Sequence, residues 1–515
     1  MAVLLLHPDD DVAVALTDLA PGDVAEVAGG RLPVRVPVAA GHKLAVRDLP
    51  AGTVVRKYGQ VIGVAVSDVG RGEHVHVHNL RMPDEDSYLR DRAGAVSYPT
   101  ATGGSRTGPV IPADLRRTFL GIRRPDGSVA TRNYVGVLTT VNCSATVARQ
   151  IARRSEDFVQ ALDGVDGVVA LTHGSGCGMS NSGEGFDLLR RTLTGYARHP
   201  NIGGLVVVGL GCEVNAVDSL EAELGVVAGV PVQSFTIQDV GGTVAAIDHG
   251  VRAVADMATG LAGTQRTETG VEHLVLGLQC GGSDGWSGLT ANPALGVASD
   301  LLVACGGSAV LGETPEIYGA EHLLAARAAS PDVADALYAR ISWWRDYTRS
   351  QGTSLDGNPS PGNKAGGITT ILEKSLGAVA KAGQSRLSAV CSYGEPVPRP
   401  GLSFMDTPGY DPVSVTGMVA GGATIICFAT GRGSVFGSRP APTVKLSSNA
   451  QTARRMAGDI DLDCSPILGN QLTVSQMGRQ VYDLLLDVAS GQCTTSESLG
   501  FGSEEMVPWQ LGAVL

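Results

Sequence analysis

The sequence predicts a multidomain α/β protein, in which a small N-terminal β module precedes two α/β parts with mainly parallel sheets. Two observations predict this fold class. Four short runs rich in valine and leucine each break into a glycine-rich turn, as strands buried on both faces of a parallel sheet do. Helical periodicity follows the first three runs, which is typical of right-handed strand–helix crossovers. The four runs are Tyr134–Ser144, Val168–Ser180, Leu205–Glu213 and Leu274–Gly285.

The first 90 residues carry short strand-like segments separated by turn signals such as Pro21-Gly22 and Gly29-Gly30, with no helical period. This pattern predicts a small β domain over residues 1–90. Residues 91–115 are rich in Gly, Pro, Ser and Thr and lack periodicity, so they are predicted to be a linker.

Alternating strands and helices predict a first α/β domain over residues 116–262 and a second over 270–515, divided by the polar segment Gly260–Thr269. In the first, the spacing of Val147, Ile151, Phe158 and Leu162 predicts a helix. At 515 residues the chain is too long for one hydrophobic core, and two to four domains are expected.

Composition excludes several classes of partner. A net charge of −12 argues against nucleic acid and anionic membranes. No apolar run approaches the ~20 residues of a membrane span, and the N-terminus lacks the basic flank and cleavage site of a signal peptide. Nine cysteines in a chain of this length are expected to be reduced thiols, which favours a cytoplasmic enzyme.

Four cysteines are predicted to lie where parallel strands end, the edge at which α/β proteins bind ligands. They are Cys143, Cys177, Cys212 and Cys280. Three interpretations stay open: inert buried thiols, a nucleophile activated by a base such as His173, or ligands of iron or zinc. No CxxC spacing strengthens the metal interpretation.

Histidines in the β module form a second candidate site. On a strand, His74, His76 and His78 would share one face, and neutral imidazole is a common metal ligand. The alternative is a solvated ladder on an edge strand. His42 and Lys43 follow the Gly41 turn and are either an exposed loop pair or a carboxylate-binding cation beside a base or ligand.

Two later segments suggest binding of an acid. Lys364 lies in a Pro- and Gly-rich loop before a helix predicted to begin near Ile368, which is typical of a carboxylate site and lacks the spacing of a phosphate loop. A second segment combines carboxylates and cations among turns, as binding of a polyhydroxy acid requires, although structural turns are the alternative. Its charged residues are Asp406, Asp411, Arg432, Arg439 and Lys445.

Long motifs over nearly the whole chain resemble those of the altronate and galactarate dehydratases. They include GHKLAVRDL, GEHVHVHNL, HGSGCGM, GLGCEVNA, LQCGGSDGWSGLTANPALG, GETPEIYGAEHLL, SPGNKAGGITTILEKSLGAVAKAG and FMDTPGYDPVSVTG. The resemblance implies an N-terminal SAF (β-clip) domain, a two-part α/β catalytic region, and dehydration of a sugar acid to a 2-keto-3-deoxy acid. It implies Fe²⁺, with Mn²⁺, Mg²⁺ or an iron–sulfur cluster as alternatives. CSYGEPV and LDCSPIL depart from the family pattern, which bears on substrate choice.

On this hypothesis the substrate is an altronate-type aldonate, with galactarate or another aldarate as the alternative, and the enzyme is expected to be a homodimer. Predicted catalytic residues are His42, Lys43, His173, Lys364 and Asp406. Predicted substrate-binding residues are Arg132, Asn133, Ser283, Asp284, Asn363, Arg432 and Lys445. Predicted metal ligands are His76, His78, Cys177 and Cys280, followed by Cys143, Cys212 and Glu213.

Two other functional classes were weighed against a dehydratase. A dinucleotide-dependent oxidoreductase needs GxGxxG after a strand, with an acidic residue about twenty positions later, and no strand here provides it. A non-catalytic sugar-acid-binding protein would keep the same binding loops but form no product.

Overall fold

The computed structural model describes residues 2–27, 30–84, 111–224 and 229–511. Most of the predicted linker at 91–115 therefore lies outside the described residues. Within the described ranges, no helix combines the length and the apolar character that crossing a bilayer requires.

Residues 2–84 form the predicted β module, in which the described residues include strands and no helix. One sheet has the antiparallel order β1-β2-β5-β8, a second has the order β6-β7-β9, and β3-β4 is a hairpin. Two small apolar cores lie around Leu44 and Ile62. The strands are β1 (Val3–Leu4), β2 (Val12–Ala15), β3 (Val24–Val27), β4 (Gly30–Pro33), β5 (Lys43–Ala45), β6 (Val54–Lys57), β7 (Gln60–Ala65), β8 (His74–Val75) and β9 (Leu80–Arg81).

The first α/β part is built on a parallel sheet with the order β13-β12-β14-β15. A small antiparallel sheet, β11-β10-β16, brings together the start and the end of this part. The strands are β10 (Thr118–Arg123), β11 (Val129–Ala130), β12 (Tyr134–Thr139), β13 (Gly167–Leu171), β14 (Ile202–Gly209), β15 (Val232–Thr236) and β16 (Thr267–Gly270). The helices are α1 (Ala145–Gln160), α2 (Glu184–Ala197), α3 (Val217–Leu224) and α4 (Thr243–Leu261).

Helix α1 buries a slightly different face from the predicted one. Val147, Ile151 and Val159 are buried, whereas Phe158 is 45% exposed. The buried row runs in steps of four residues from Val147 through Ser155 to Val159, so Phe158 turns away from the sheet.

The second α/β part is built on a seven-stranded parallel sheet with the order β19-β20-β18-β17-β21-β22-β23. Its strands are β17 (Val275–Cys280), β18 (Ser308–Leu311), β19 (Leu387–Cys391), β20 (Gly401–Met405), β21 (Ile425–Thr430), β22 (Thr443–Ser447) and β23 (Leu462–Asp463). Its helices are α5 (Ala291–Ala304), α6 (Glu321–Ala325), α7 (Pro331–Ser350), α8 (Pro361–Ala365), α9 (Ile371–Val379), α10 (Asp411–Ala420), α11 (Ala450–Arg455), α12 (Val474–Ala489) and α13 (Thr495–Ser498). The predicted fold class, a β module followed by mainly parallel sheets, is confirmed.

Helices α2 and α10 pack against each other and share one apolar core with both parallel sheets. Leu189 and Leu193 of α2 lie in this core with Met418 of α10 and Ile426 of β21. The two α/β parts are therefore joined by a buried helix pair as well as by the chain itself.

The helix predicted near Ile368 is two helices in the structure. Lys364 lies within the short α8, and α9 begins only at Ile371, after the Thr370 N-cap. Gly367 separates them in a left-handed conformation, with a φ of +100° that disfavours other residues.

Candidate active site

Histidines of the β module meet in one imidazole cluster, formed by His42, His74, His76 and His78. The ring centroid of His42 lies 5.1 Å from that of His74 and 4.9 Å from that of His76. The His74 centroid lies 5.3 Å from that of His76 and 5.4 Å from that of His78. The strand that begins at His74 has only two residues, so a turn brings the other two imidazoles to the same place.

Carbonyl groups of the second α/β part determine the tautomers of this cluster. His76 Nε2 lies 2.8 Å from the Lys364 carbonyl, and His42 Nε2 lies 3.3 Å from the Ala365 carbonyl. A carbonyl only accepts, so both Nε2 atoms carry the proton, and His42 Nδ1 accepts from His74 Nε2 at 3.1 Å. In these neutral forms, Nδ1 of His74 and Nδ1 of His76 each keep a lone pair.

Charge and burial keep the His74 and His76 imidazoles neutral. Burial, followed by the neighbouring imidazoles, lowers the pKa of His74 to about 3. Burial and the Lys43 ammonium lower the pKa of His76 to about 4. Neutral imidazoles at physiological pH are available as ligands.

A buried triad of Lys43, Lys57 and Glu373 lies next to the imidazole cluster. It also joins the β module, which contributes the two lysines, to the second α/β part, which contributes Glu373. Lys43 Nζ donates to Glu373 Oε2 at 2.8 Å and to the Gly367 carbonyl at 2.6 Å, and Lys57 Nζ donates to Glu373 Oε1 at 2.9 Å. Burial lowers the pKa of Lys43 to about 8. Burial opposes the charge of Lys57 most, but the Glu373 carboxylate and the Tyr58 side chain together outweigh it and raise the pKa of Lys57.

One carboxylate cannot neutralise two buried ammonium groups equally. Burial alone would raise the pKa of Glu373, but the two lysines together hold it well below its usual range. Lys57 therefore keeps its proton, and Lys43 is the lysine that loses a proton more readily.

Asp284 organises the loop that follows β17. Its Oδ1 accepts from Trp286 N, Ser287 N, Ser287 Oγ and Ser448 Oγ, and its Oδ2 accepts from Asn449 Nδ2. Ser283 contributes its carbonyl, which accepts from Asn363 Nδ2 at 2.9 Å. A small polar cavity opens here, lined by residues that include Lys57, Tyr58, Ser283, Asp284, Glu373 and Lys374.

A second donor set lies deeper at the carboxyl edge of the large sheet. Ligand atoms of Cys280, Glu313 and Glu316 lie within 4.8 Å of one another. Lys381 Nζ lies 2.9 Å from Cys280 Sγ and 3.4 Å from Glu313, and Lys374 Nζ donates to Glu316 at 2.6 Å.

Glu313 is the most unusual member of this set. Its Oε1 has no hydrogen-bond partner, and its backbone is left-handed, with a φ of 69°. Burial, followed by the Glu316 charge, raises the pKa of Glu313 to about 8. The GETPEIYG motif is recognisable in the sequence, but its two glutamates were not predicted as site residues, and neither was Glu373. The signal available was two glutamates directly after a buried strand.

Other predicted residues are distributed around this edge. Asp406 follows β20 and accepts from Thr314 Oγ1 and Trp344 Nε1. Lys445 is buried on β22 and donates to the Ser434 carbonyl at 3.2 Å. Arg432 is exposed beside Gly282, whose carbonyl accepts from the Arg432 N–H.

Arg132 and Asn133 lie elsewhere, beside the C-terminal helices. All five N–H groups of the Arg132 guanidinium already donate: to both oxygens of Glu497 and to the carbonyls of Thr131, Val488 and Gln492. The Asn133 amide is bonded to Arg124 and to the Gly164 carbonyl. These bonds leave Arg132 no donor for a substrate.

The remaining predicted residues share the carboxyl edge of the smaller sheet. Cys143, Cys177 and Cys212 are exposed there. Glu213 is buried, and its two oxygens accept from Thr140 Oγ1 and from the N–H groups of Leu210, Gly211 and Cys212. His173 is buried too, with Nε2 at 3.1 Å from the Thr139 carbonyl and Nδ1 at 3.2 Å from Ser175 Oγ.

Comparison with known protein families identifies three consecutive matches. The Altronate/galactarate dehydratase SAF domain model matches residues 1–83. The D-galactarate dehydratase/Altronate hydrolase second domain model matches 121–262, and the D-galactarate/Altronate dehydratase C-terminal model matches 271–514.

Relatives match over most of their length. An altronate dehydratase of Escherichia coli (strain K12) is 35% identical over 517 residues, covering 100% of both chains. The galactarate dehydratase (L-threo-forming) of the same strain is 34% identical, covering 95% of this chain and 93% of its own. The (2R)-sulfolactate sulfo-lyase subunit beta of Chromohalobacter salexigens is 36% identical, covering 75% of this chain and 95% of its own.

Proposed function

Because the chain belongs to the altronate and galactarate dehydratase family, we propose that it removes water from an altronate-type aldonate to give a 2-keto-3-deoxy acid. We place altronate first because the altronate dehydratase match covers 100% of both chains, whereas the galactarate dehydratase match covers 95% of this chain at a nearly equal identity. The observation that carries the proposal is the contact of the imidazole cluster with the end of α8, and of Lys43 with Gly367 just after it. Through it, the β module and the catalytic region contribute to one site.

The reaction requires help at two atoms of the substrate. A C2 proton beside a carboxylate is too weakly acidic to leave unaided, so the site must place positive charge at the carboxylate and a base near C2. We assign Lys364, half-buried on α8, to the carboxylate, and Lys43 to the base, because a pKa of about 8 leaves part of Lys43 unprotonated near neutral pH. Glu373 positions Lys43, and the ammonium that Lys43 forms on taking the C2 proton is the proposed acid for the departing C3 hydroxyl, because the predicted acid His42 is a neutral imidazole.

The imidazole cluster fits a divalent cation, because the unshared Nδ1 lone pairs of His74 and His76 lie in a half-buried, neutral cluster. When bound, the cation supplies Lewis-acid stabilisation of the charge that develops on the substrate carboxylate. Imidazole donors favour Fe²⁺ over Mg²⁺. We assign His76 as a ligand, with His78 at the exposed side of the cluster. The buried set of Cys280, Glu313 and Glu316 already has two lysine ammonium groups beside it.

Three further assignments complete the proposal. The division into domains at 1–90, 116–262 and 270–515 is supported by the similar ranges of the family matches. Reduced cysteines support a cytoplasmic location, because all nine are free thiols. The enzyme is proposed to act as a homodimer, which light scattering of the purified chain tests directly.

The test is a substrate panel with the full chain, purified anaerobically and assayed with and without Fe²⁺. We expect a 2-keto-3-deoxy acid from altronate, and loss of both the bound cation and turnover in His76→Ala. The control His249→Ala changes a histidine of α4 and should leave both unchanged. Absence of a keto acid from every aldonate and aldarate would refute the proposal, and sulfite release from (2R)-sulfolactate would place the chain with the sulfo-lyases.

The role of Lys43 is tested by isotope exchange. In heavy water, the proposed base catalyses exchange of the C2 proton even when loss of the hydroxyl is slow. Lys43→Met should abolish this exchange while the bound cation is retained. Exchange at the wild-type rate in this variant would show that another group removes the proton.

A further inference from the structure

Three exposed cysteines emerge side by side at the carboxyl edge of the smaller parallel sheet. Thr139 of β12 pairs with Val208 of β14, and Cys143 and Cys212 each lie four residues beyond these partners. Leu138 of β12 pairs with Leu171 of β13, six residues before Cys177. Because paired positions in parallel strands lie at the same height, the loops that carry the three cysteines begin from neighbouring strands at the same edge of the sheet.

Hydrogen bonds tie the three cysteine loops together. The Asn142 N–H donates to the Ser175 carbonyl at 2.9 Å, which joins the loops of Cys143 and Cys177. Asn215 connects the Cys212 loop to both others, since its N–H donates to the Gly176 carbonyl at 3.1 Å and its Nδ2 to the Thr140 carbonyl at 2.8 Å. The three loops that carry the thiols are thus hydrogen-bonded to one another and are not independent.

These three thiols are exposed to solvent, unlike most other cysteines in the chain. Cysteine is among the most often buried residues, yet four of the nine cysteines are exposed, and three of those four are Cys143, Cys177 and Cys212. Other donors at this edge are already occupied, because Glu213 accepts four internal hydrogen bonds and His173 is bonded through both ring nitrogens. Neither of these two side chains is therefore free to bind a ligand beside the thiols.

A single ion and a cluster of several irons need different arrangements of three thiolates. Thiolates around one tetrahedral ion lie roughly 3.8 Å apart, given metal–sulfur bonds of about 2.3 Å. Among the described residues, Cys280, Glu313 and Glu316 form a donor set within 4.8 Å, whereas the three exposed thiols do not. In a cluster of several irons each iron takes one thiolate, so the three thiolates need not meet around a single ion.

From this geometry we propose that Cys143, Cys177 and Cys212 hold an iron–sulfur cluster at the edge of the smaller sheet. The site is separate from the divalent cation assigned to the imidazole cluster. Three protein thiolates leave one iron of a four-iron cluster without a protein ligand, facing the side on which the thiols are exposed. The cluster would also make the protein sensitive to oxygen.

The test is anaerobic reconstitution of the full chain with Fe²⁺ and sulfide, followed by desalting. We expect acid-labile sulfide bound to the wild-type protein, with the visible charge-transfer absorption of an iron–sulfur cluster. Cys177→Ser and the triple variant of Cys143, Cys177 and Cys212 to serine should lose most of both signals. Cys493→Ser removes the fourth exposed cysteine and is the matched control, which should keep them.

Further measurements separate this proposal from folding and from the proposed function. The thermal midpoint of each cysteine variant should match that of the wild type, because exposed thiols contribute little to packing. His76→Ala should keep its labile sulfide while losing the divalent cation. Wild-type protein without labile sulfide, a triple variant that retains it, or a zinc ion bound by the three cysteines without sulfide would each overturn the cluster.

Discussion

At the scale of single residues, Glu373 connects the modules most directly. Its two oxygens accept from lysines of two different strands of the β module, and its Oε2 also accepts from Thr369 N at 2.9 Å and Thr369 Oγ1 at 2.7 Å. A buried carboxylate of this kind is stable only because donors bond to both oxygens, one to Oε1 and three to Oε2. The same side chain therefore joins the β module to the catalytic region and positions Lys43.

Substitution of Glu373 by Gln should destabilise the protein strongly. The variant leaves Lys43 and Lys57 buried without a counter-charge, which costs roughly 3–5 kcal/mol in the free energy of unfolding. Lys43→Met is the matched control, because Lys57 and Glu373 then remain a balanced pair and the loss should be smaller. Chemical denaturation of both variants checks this, and an equal loss in the two would contradict the charge argument.

The hydrogen-bond partners of Arg132 could not be predicted from the sequence. An arginine before a strand near the predicted site was a reasonable anchor for a substrate, but its partners Glu497, Val488 and Gln492 lie more than 350 residues away in sequence. Nothing in local periodicity reveals such a partner. Glu373, Glu313 and Glu316 were missed for the same reason, since their significance depends on which distant residues meet them.

Replacing Arg132 by Met should lower stability without a specific effect on substrate binding. The change leaves Glu497 without the guanidinium that helps hold its pKa below its usual range, and loss of this pair costs roughly 3–5 kcal/mol. We expect a lower thermal midpoint and an unchanged KM for the folded fraction. Arg117→Met is the control at an exposed arginine. A large rise in KM at an unchanged thermal midpoint would restore the substrate-binding hypothesis.

At the scale of elements, periodicity predicted which segments form strands and helices but not how far each extends. The alternation of His74, His76 and His78 correctly indicated that the imidazoles gather, although the strand there has only two residues and a turn completes the cluster. Gly285, in the loop after β17, is a site where protein backbone approaches closely. A Cβ at Gly285 would lie 2.1 Å from the Gly41 carbonyl oxygen.

Substitution of Gly285 by Ala should therefore separate the β module from the catalytic region. The added methyl group meets backbone of both Gly41 and Gly366, which cannot move aside as a flexible side chain could. We expect loss of most activity and faster hydrogen exchange in β5 and β8, with the secondary structure retained. Gly260→Ala, where a Cβ meets nothing within 4 Å, is the control and should be neutral or slightly stabilising. If hydrogen exchange in β5 and β8 of Gly285→Ala kept the wild-type rate, the close contact of Gly285 with Gly41 would not hold the β module in place.

At the scale of the whole molecule, the sequence predicted two parallel sheets but not their arrangement. Strand–helix alternation is a local pattern, whereas the packing of α2 against α10 joins segments more than 200 residues apart. A side-chain hydrogen bond also joins the two α/β parts. The buried His199, in the turn before β14, bonds through Nε2 to the Ala423 carbonyl at 3.0 Å. His199 Nδ1 accepts from Asn201 N at 3.1 Å, so the ring is neutral.

His199 should make the junction between the two α/β parts sensitive to acid. Burial lowers its pKa from 6.5 to about 4, so between these values the unfolded chain binds a proton that the folded chain does not. Stability therefore falls as the pH decreases from 6.5 towards 4, by about 3 kcal/mol for this group. His199→Gln keeps a donor for the Ala423 carbonyl but cannot titrate, so its thermal midpoint should fall less steeply over this range. The control His273→Gln should follow the wild-type slope, and an identical slope in His199→Gln would show that other groups cause the acid sensitivity.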